Sequence, residues 1–312
     1  MLSIIQAAEI INNGGLVAFP TETVYGLGAD ATNEAAVTRI FQIKKRPRIN
    51  PLIVHVASIE QAKSIGEFNE DAHKLSKLWP GPLTLVVPVK KEARIAKSVL
   101  AGLSTVAIRI PANKLALELI RKSGTSLAAP SANPSGYISA TTYEHVFEHF
   151  SQEGIFILKD NVICKYYGLE STIVSVVEQV PTILRYGFIT EELLSSTLGK
   201  ALTIVSPLSQ IKAPGMLDKH YSPHLPVRLN AENINPFEVG LNFGSSKLYG
   251  DFSLNLSEKA DLAEAATNLY ANLRELDNYA KLNKIRGIAI ASIPTTGIGI
   301  AINDRLKRAA SY

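Results

Sequence analysis

The chain has a single cysteine, Cys164, in 312 residues. One thiol excludes an internal disulfide framework and a multi-cysteine zinc site, and Cys164 reads as a small core residue. Long apolar runs are also missing: none approaches the roughly 18 residues needed to span a bilayer. The opening stretch MLSIIQAAEIINNGG has no basic segment and carries Glu9 within its apolar part. It is therefore not read as a secretory signal, and a cytoplasmic location is expected. Neither sign of charge dominates: charged residues make up 19%, and the net charge is +4 at pH 7. That balance suits a binder of phosphates but does not by itself argue for nucleic acid. Familiar catalytic strings are missing too. There is no Gly-x-Ser-x-Gly elbow, no Walker loop and no His-Glu-x-x-His, and Gly26-x-Gly28 lacks the third glycine of a dinucleotide fingerprint. His145 and His149 stand four apart on an expected helix, but without a third ligand they read as a polar face rather than a metal site.

What is present is a globular composition, 46% hydrophobic, long enough for two domains. Residues 16–19, Leu-Val-Ala-Phe, form a short apolar run that the following Pro and Gly mark as a buried strand. A loop rich in hydroxyls and glycines follows, Pro20 to Gly28. Asn33 can cap a helix whose apolar face is Ala36, Val37, Ile40 and Phe41. That helix ends in Lys44-Lys45-Arg46-Pro47, and Pro47 stops it. A strand over 52–56 then carries His55 near its end. Taken alone, the cations read as a solvated helix end that suits the helix dipole.

Further along, helices are expected at 58–65, 71–78, 114–122, 142–150 and 191–198. Strands are expected at 83–89, 103–110, 126–129, 154–159, 171–177 and 182–185. From about Pro207 the character changes to a proline-rich stretch without a sustained period, PLSQIKAPGMLDKHYSPHLPVRL. Beyond it, strands at 227–229, 239–243 and 288–293 alternate with helices at 260–282 and 301–310, the pattern of a small parallel α/β domain. The organisation expected is a catalytic domain over 1–206, a linker or lid over 207–226, and a C-terminal domain over 227–312. The apolar Ile211, Pro214, Met216 and Leu217, with Lys219, His220 and Tyr221, suit a lid better than a solvated tether.

Small hydroxyls and cations recur at the expected strand ends, where ligands of open α/β sheets sit. Thr21 and Thr23 follow one strand; Ser104 and Thr105 begin another, with Arg109 near its end. Ser131 and Asn133 follow a third, Ser171 and Thr172 open a fourth after Glu170, and Arg185 ends a fifth. Singly, each of these reads as a turn residue. Arg109 differs, because a cation within the apolar TVAIRI is costly to bury without an anion from ligand or protein.

The strings PTETVYGLG, KKRPRINPLIVH, WPGPLTLV, TVAIRIP, APSANPSG, GLESTIV, ILRYGFIT and APGMLDKHYSP, in this order, resemble the motifs of the threonylcarbamoyl-AMP synthase family, also called YrdC-like. They cover about residues 10–225, and the tail resembles the extra Rossmann-like domain of the family's long form. The chain departs from the pattern at Tyr186, where the family usually has proline. The resemblance implies an α/β fold, a twisted mixed sheet around a concave basic cavity. It also implies an enzyme that condenses L-threonine, bicarbonate and ATP to threonylcarbamoyl-AMP and pyrophosphate. That product would serve threonylcarbamoyladenosine formation at A37 of tRNA, with handover to a threonylcarbamoyl transferase complex. Carried over by position, Thr23, His55, Arg109, the Ala129 backbone and Ser171 match the threonine side. Arg46, Asn50, Thr105, Ser131, Ser139, Arg185 and Tyr221 match the ATP side, and Lys44 with Arg46 faces the phosphates as catalytic cations. Mg²⁺ would bind mainly through ATP phosphates. An RNA-binding protein, or a carbamoyl transferase acting on another acceptor, remains the alternative use of such a cavity.

Overall fold

The computed structural model describes residues 4–160, 167–205, 213 and 220–311. Cys164 and the linker residues Ile211, Pro214, Met216, Leu217 and Lys219 lie outside the described residues.

The first half of the chain supplies β1 (Val17–Phe19), β2 (Gly26–Asp30), β3 (Ile53–His55), β4 (Leu83–Pro88), β5 (Thr105–Arg109) and β6 (Leu127–Ala129). β7 (Phe156–Ile157), β8 (Thr172–Ser175), β9 (Thr182–Arg185) and β10 (Thr203–Ile204) complete a mixed sheet in the order β10-β9-β8-β4-β5-β3-β6-β2-β1-β7. Its helices are α1 (Ile4–Asn12), α2 (Glu34–Lys44), α3 (Ile59–Ile65), α4 (Glu70–Leu75), α5 (Lys97–Leu100), α6 (Lys114–Ser123), α7 (Tyr143–Phe150) and α8 (Glu191–Leu198). The cap expected at Asn33 forms, and two more helices are capped likewise: Asn33 Oδ1 accepts from Ala36 N, Ser58 Oγ from Gln61 N and Thr142 Oγ1 from His145 N. The first and longest of these helices ends where Lys45 turns to φ 51°, just before Pro47.

The two faces of the sheet differ. Val54, Leu85, Val87, Val106, Ile108 and Val174 turn to one side and pack under α2, α3, α4 and α8 in the main core. Alternation along each strand sends Ile53, Val86, Ala107 and Ile173 to the other side. There they form the apolar floor of a concave face, on which Ala213 of the linker is fully buried.

Strand β2 corrects the expectation of a loop through Gly28. The segment pairs antiparallel with β1, Val17 opposite Gly28 and Phe19 opposite Gly26. Glycines weaken a strand reading, but here the Phe19 ring needs the space: a Cβ on Gly28 would lie 2.6 Å from that ring. The sequence reading also missed α5, β10 and a C-terminal strand, all short elements.

The C-terminal unit contains β11 (Val227–Arg228), β12 (Glu238–Asn242), β13 (Ser253–Asn255), α9 (Leu262–Leu282), β14 (Gly287–Ile290) and α10 (Ile298–Ala309). All its strand pairs are parallel, in the order β11-β14-β12-β13. Its core also includes Val24, Ile138, Leu169 and Tyr221, which come from loops of the first unit and from the linker. The two units therefore share one apolar core at their junction. Among the described residues, no helix is long and apolar enough to cross a membrane.

Candidate active site

A cavity opens on the concave face between the hydroxyl-rich turn after β1 and the segment entering β8. Sheet register assembles one wall: His55 pairs with Arg109, and Ile53 with both Ala107 and Ala129, so these side chains share a face. Of the residues the sequence pointed to, Thr23, His55, Arg109, Ala129 and Ser171 line this cavity. Arg46, Ser131, Arg185 and Tyr221 line it as well. Lys44, Asn50, Thr105 and Ser139 are not part of that lining.

Arg109 is buried at 3% exposure. Its Nη1 donates to Thr23 Oγ1 at 3.0 Å and its Nε to the Gly81 carbonyl at 3.2 Å. The anion its strand position demanded is Glu22, whose Oε1 lies 2.6 Å from Nη2 as an ion pair, without hydrogen-bond alignment. Thr23 is fixed in turn by Thr21, whose Oγ1 is 2.8 Å away and donates to the Val24 carbonyl at 2.6 Å. The His55 ring meets Phe19 edge to face at 5.9 Å, and its Nδ1 has no partner among the described residues. Burial, with Arg109 beside it, pushes His55 down to about 3, so the ring is neutral at physiological pH.

The cations meet on the opposite side. Arg46 is anchored by the carbonyls of Asn50 and Pro51, at 3.3 and 3.0 Å. Burial first, then the charge of Arg185, lowers its guanidinium to about 9. Arg185 donates through Nε and Nη2 to the Ser171 carbonyl at 3.1 and 3.0 Å, and through Nη2 to Ser171 Oγ at 3.1 Å. Burial also lowers Arg185 and Lys44. The Lys44 Nζ donates to the Ser131 carbonyl at 2.6 Å and to the Asn133 carbonyl. It therefore braces the Ser131 loop from behind. Like-charged groups held in a desolvated wall create a site that favours a polyanion. The buried Asn50 side chain and the Tyr221 hydroxyl have no partner among the described residues. Thr105 opens β5 at the end of that strand away from Arg109.

The sequence reading missed the weight of Glu22, Glu170 and His220. Arg109 within an apolar strand was the signal for Glu22, since the Thr-Glu-Thr turn holds a carboxylate at a strand end. Glu170 lines the cavity at 6% exposure. Its Oε1 accepts from Ser139 Oγ at 2.5 Å, and its Oε2 from Tyr270 OH at 2.8 Å and Arg305 Nε at 3.0 Å. Burial works to raise it, but Arg305 and then Arg185 outweigh burial and hold it at about 2, ionised. Ser139 thus faces Glu170 rather than the cavity. His220 lines the cavity and is pushed down to about 3, chiefly by burial. Tyr186, at the position where proline was expected, gives its carbonyl to Arg305 Nη2 at 2.7 Å.

Two sequence-family models divide the chain: one described as Telomere recombination matches residues 9–187, and one described as Threonylcarbamoyl-AMP synthase, C-terminal domain, matches residues 189–311. Leu194 and Leu198 of α8, within the second match, belong to the main core, and β10 pairs with β9. A Threonylcarbamoyl-AMP synthase of Bacillus subtilis is 40% identical over 98% of this chain and 92% of its own length. A protein of the same name from Pyrococcus abyssi is 38% identical over 98% of this chain and 93% of its own length. The crystal structure of P. abyssi Sua5 complexed with L-threonine matches with a TM-score of 0.88 at 36% identity, covering 98% of this chain and 94% of that one. E. coli YciO, at 21% identity and a TM-score of 0.52 over 59% of this chain, shares the fold of the first unit.

Proposed function

Because the chain belongs to the threonylcarbamoyl-AMP synthase family, we propose that it joins L-threonine, bicarbonate and ATP into threonylcarbamoyl-AMP and pyrophosphate. The observation that carries this reading is the convergence of Thr23, His55, Arg109 and Ser171 with Arg46, Ser131 and Arg185 on one cavity.

The threonine nitrogen bonds to the bicarbonate carbon with loss of a C–O bond as water, giving an N-carboxylate; its oxygen then attacks the α-phosphorus of ATP, and pyrophosphate leaves. The substrate provides the nucleophile, which suits a cavity built of cations, hydroxyls and neutral histidines. The protein has to hold two anions in line and stabilise the charge that develops on phosphorus and leaving group. The Arg109 fork has five N–H groups. Gly81 and Thr23 accept one each from Nε and Nη1, Glu22 pairs with Nη2 by charge, and the N–H groups that remain suit the threonine carboxylate. Arg46 and Arg185 face the phosphates, while Lys44 holds the Ser131 and Asn133 backbone that shapes the nucleotide side. Neutral His55 adds no positive charge beside the amino group. When bound, Mg²⁺ would neutralise phosphate oxygens. Glu170, the carboxylate of the cavity wall, already serves Ser139, Tyr270 and Arg305, so the donor set suits a metal carried by the phosphates themselves. The product is a labile mixed anhydride, and a transferase acting on tRNA adenosine is the class of enzyme that would consume it.

Pyrophosphate release tests the proposal. Release should require threonine and bicarbonate together with ATP. Equal ATP turnover in the absence of threonine overturns it.

A further inference from the structure

We infer that Arg305, on α10 of the C-terminal unit and outside the cavity lining, is a positioning residue for the nucleotide side of the site. The inference rests on the proposed ATP and threonine cavity. Arg305 is 1% exposed, so its charge is removed from water and has to be met by the protein. Its donors do not go to one neighbour. Nε reaches Glu170 Oε2 at 3.0 Å, Nη2 reaches the Tyr186 carbonyl at 2.7 Å and Nη1 reaches Asp304 at 2.5 Å.

Two of those acceptors flank the link that orients the cavity. Glu170 immediately precedes Ser171, and Tyr186 immediately follows Arg185. Arg185 and Ser171 are joined by three hydrogen bonds. Arg305 therefore holds both chain segments that carry this cation and its acceptor, from the side away from the ligand space. It also holds a third wall. Its guanidinium carbon lies 5.1 Å from the Tyr221 ring centre, and Tyr270 stacks on the same ring at 5.7 Å. Tyr221 has φ 63°, a conformation that a non-glycine residue keeps only where its surroundings enforce it. Tyr270, from α9, donates to the same Glu170 oxygen as Arg305. Through the Arg305 fork and the Tyr270 phenol the C-terminal unit thus reaches the cavity wall and fixes Glu170, Arg185 and Tyr221 relative to one another.

Calorimetry on the full chain tests this with ATP and threonine as separate titrants. Removing a hydrogen-bonded charge of this kind should weaken ATP binding about tenfold or more. For Arg305→Met we expect that loss for ATP, a smaller loss for threonine, and partial recovery in Arg305→Lys, which keeps the charge but not the fork. Tyr270→Phe keeps the stacked ring and removes one bond to Glu170. It should show the same split more weakly, and it decides the matter if Arg305→Met does not fold. Unaltered ATP affinity in the folded variants, or equal losses for both ligands in proportion to a lowered Tm, overturns the inference. Wild-type protein that binds no ATP overturns the functional proposal and this inference with it. Wild-type protein that binds ATP, with variants that bind it equally well, overturns the inference alone.

Discussion

Arg109 shows how one side chain can be both structural and available. Gly81, Thr23 and Glu22 hold it in a single orientation, so its fork meets a carboxylate without first losing rotamer freedom. Arg109→Lys keeps the charge but offers one nitrogen where three were placed. Threonine affinity should fall by about tenfold to a hundredfold, the scale of one or two charge-assisted hydrogen bonds, with ATP affinity little altered. Calorimetry reads both, and a larger loss for ATP would put Arg109 on the wrong substrate. Arg109 was legible in the sequence because a cation within TVAIRI has to find an anion. Its partner was not, because a glutamate between two threonines has the composition of an ordinary turn. Glu170 and Arg305 were illegible for another reason. They stand 135 residues apart, and neither local period nor motif spacing reports such a pairing.

At the level of elements, the helices over 191–198 and 260–282 were readable from their period and form as α8 and α9, the second capped by Asp261, whose Oδ1 accepts from Ala263 N and Glu264 N. Strand β2 was not, since its glycines answer to the Phe19 ring rather than to strand propensity. A second glycine ties the elements of the two units together. Gly168, just ahead of Glu170, has φ +69°, and a Cβ there would lie 2.3 Å from the Ala266 carbonyl of α9. Gly168→Ala is expected to push α9 away from the segment that carries Glu170, because a helix backbone cannot give way as a side chain can. Both Tm and ATP affinity should fall. Thermal unfolding with calorimetry checks this, and a wild-type Tm would show that the contact is looser than described.

For the molecule as a whole, buried and half-buried histidines set the acid limb of stability. His55 and His220 are pushed down to about 3, and His145 and His149 to about 4, in each case mainly by burial. Their usual value is about 6.5. The unfolded chain therefore takes up protons below about pH 6.5 that the native protein refuses, and stability has to fall as the pH falls through that range. Glu170 acts lower down: its depressed value stabilises the fold above its usual carboxylate range, and that contribution is lost as the pH drops toward about 2. The Tm should therefore decline between pH 7 and pH 5, with the histidines responsible. Thermal scans across that range test it, and a flat Tm would mean the histidines charge within the fold. At this scale the two α/β units and their order were readable, since strands and helices alternate on either side of the proline-rich stretch. Their shared core was not, because Val24, Ile138, Leu169 and Tyr221 look like loop residues until α9 covers them.

The pairing of Glu170 with Arg305 also bears on how the protein is made. A chain is synthesised from one end, and its domains fold as they emerge. The first sheet can close once β10 is available, yet Glu170 in its cavity wall is then still without the Arg305 guanidinium, which stands 135 residues after Glu170 in the chain. Until α10 docks, Glu170 lacks the cation that holds it ionised in the finished fold, and that wall of the cavity stays unfixed.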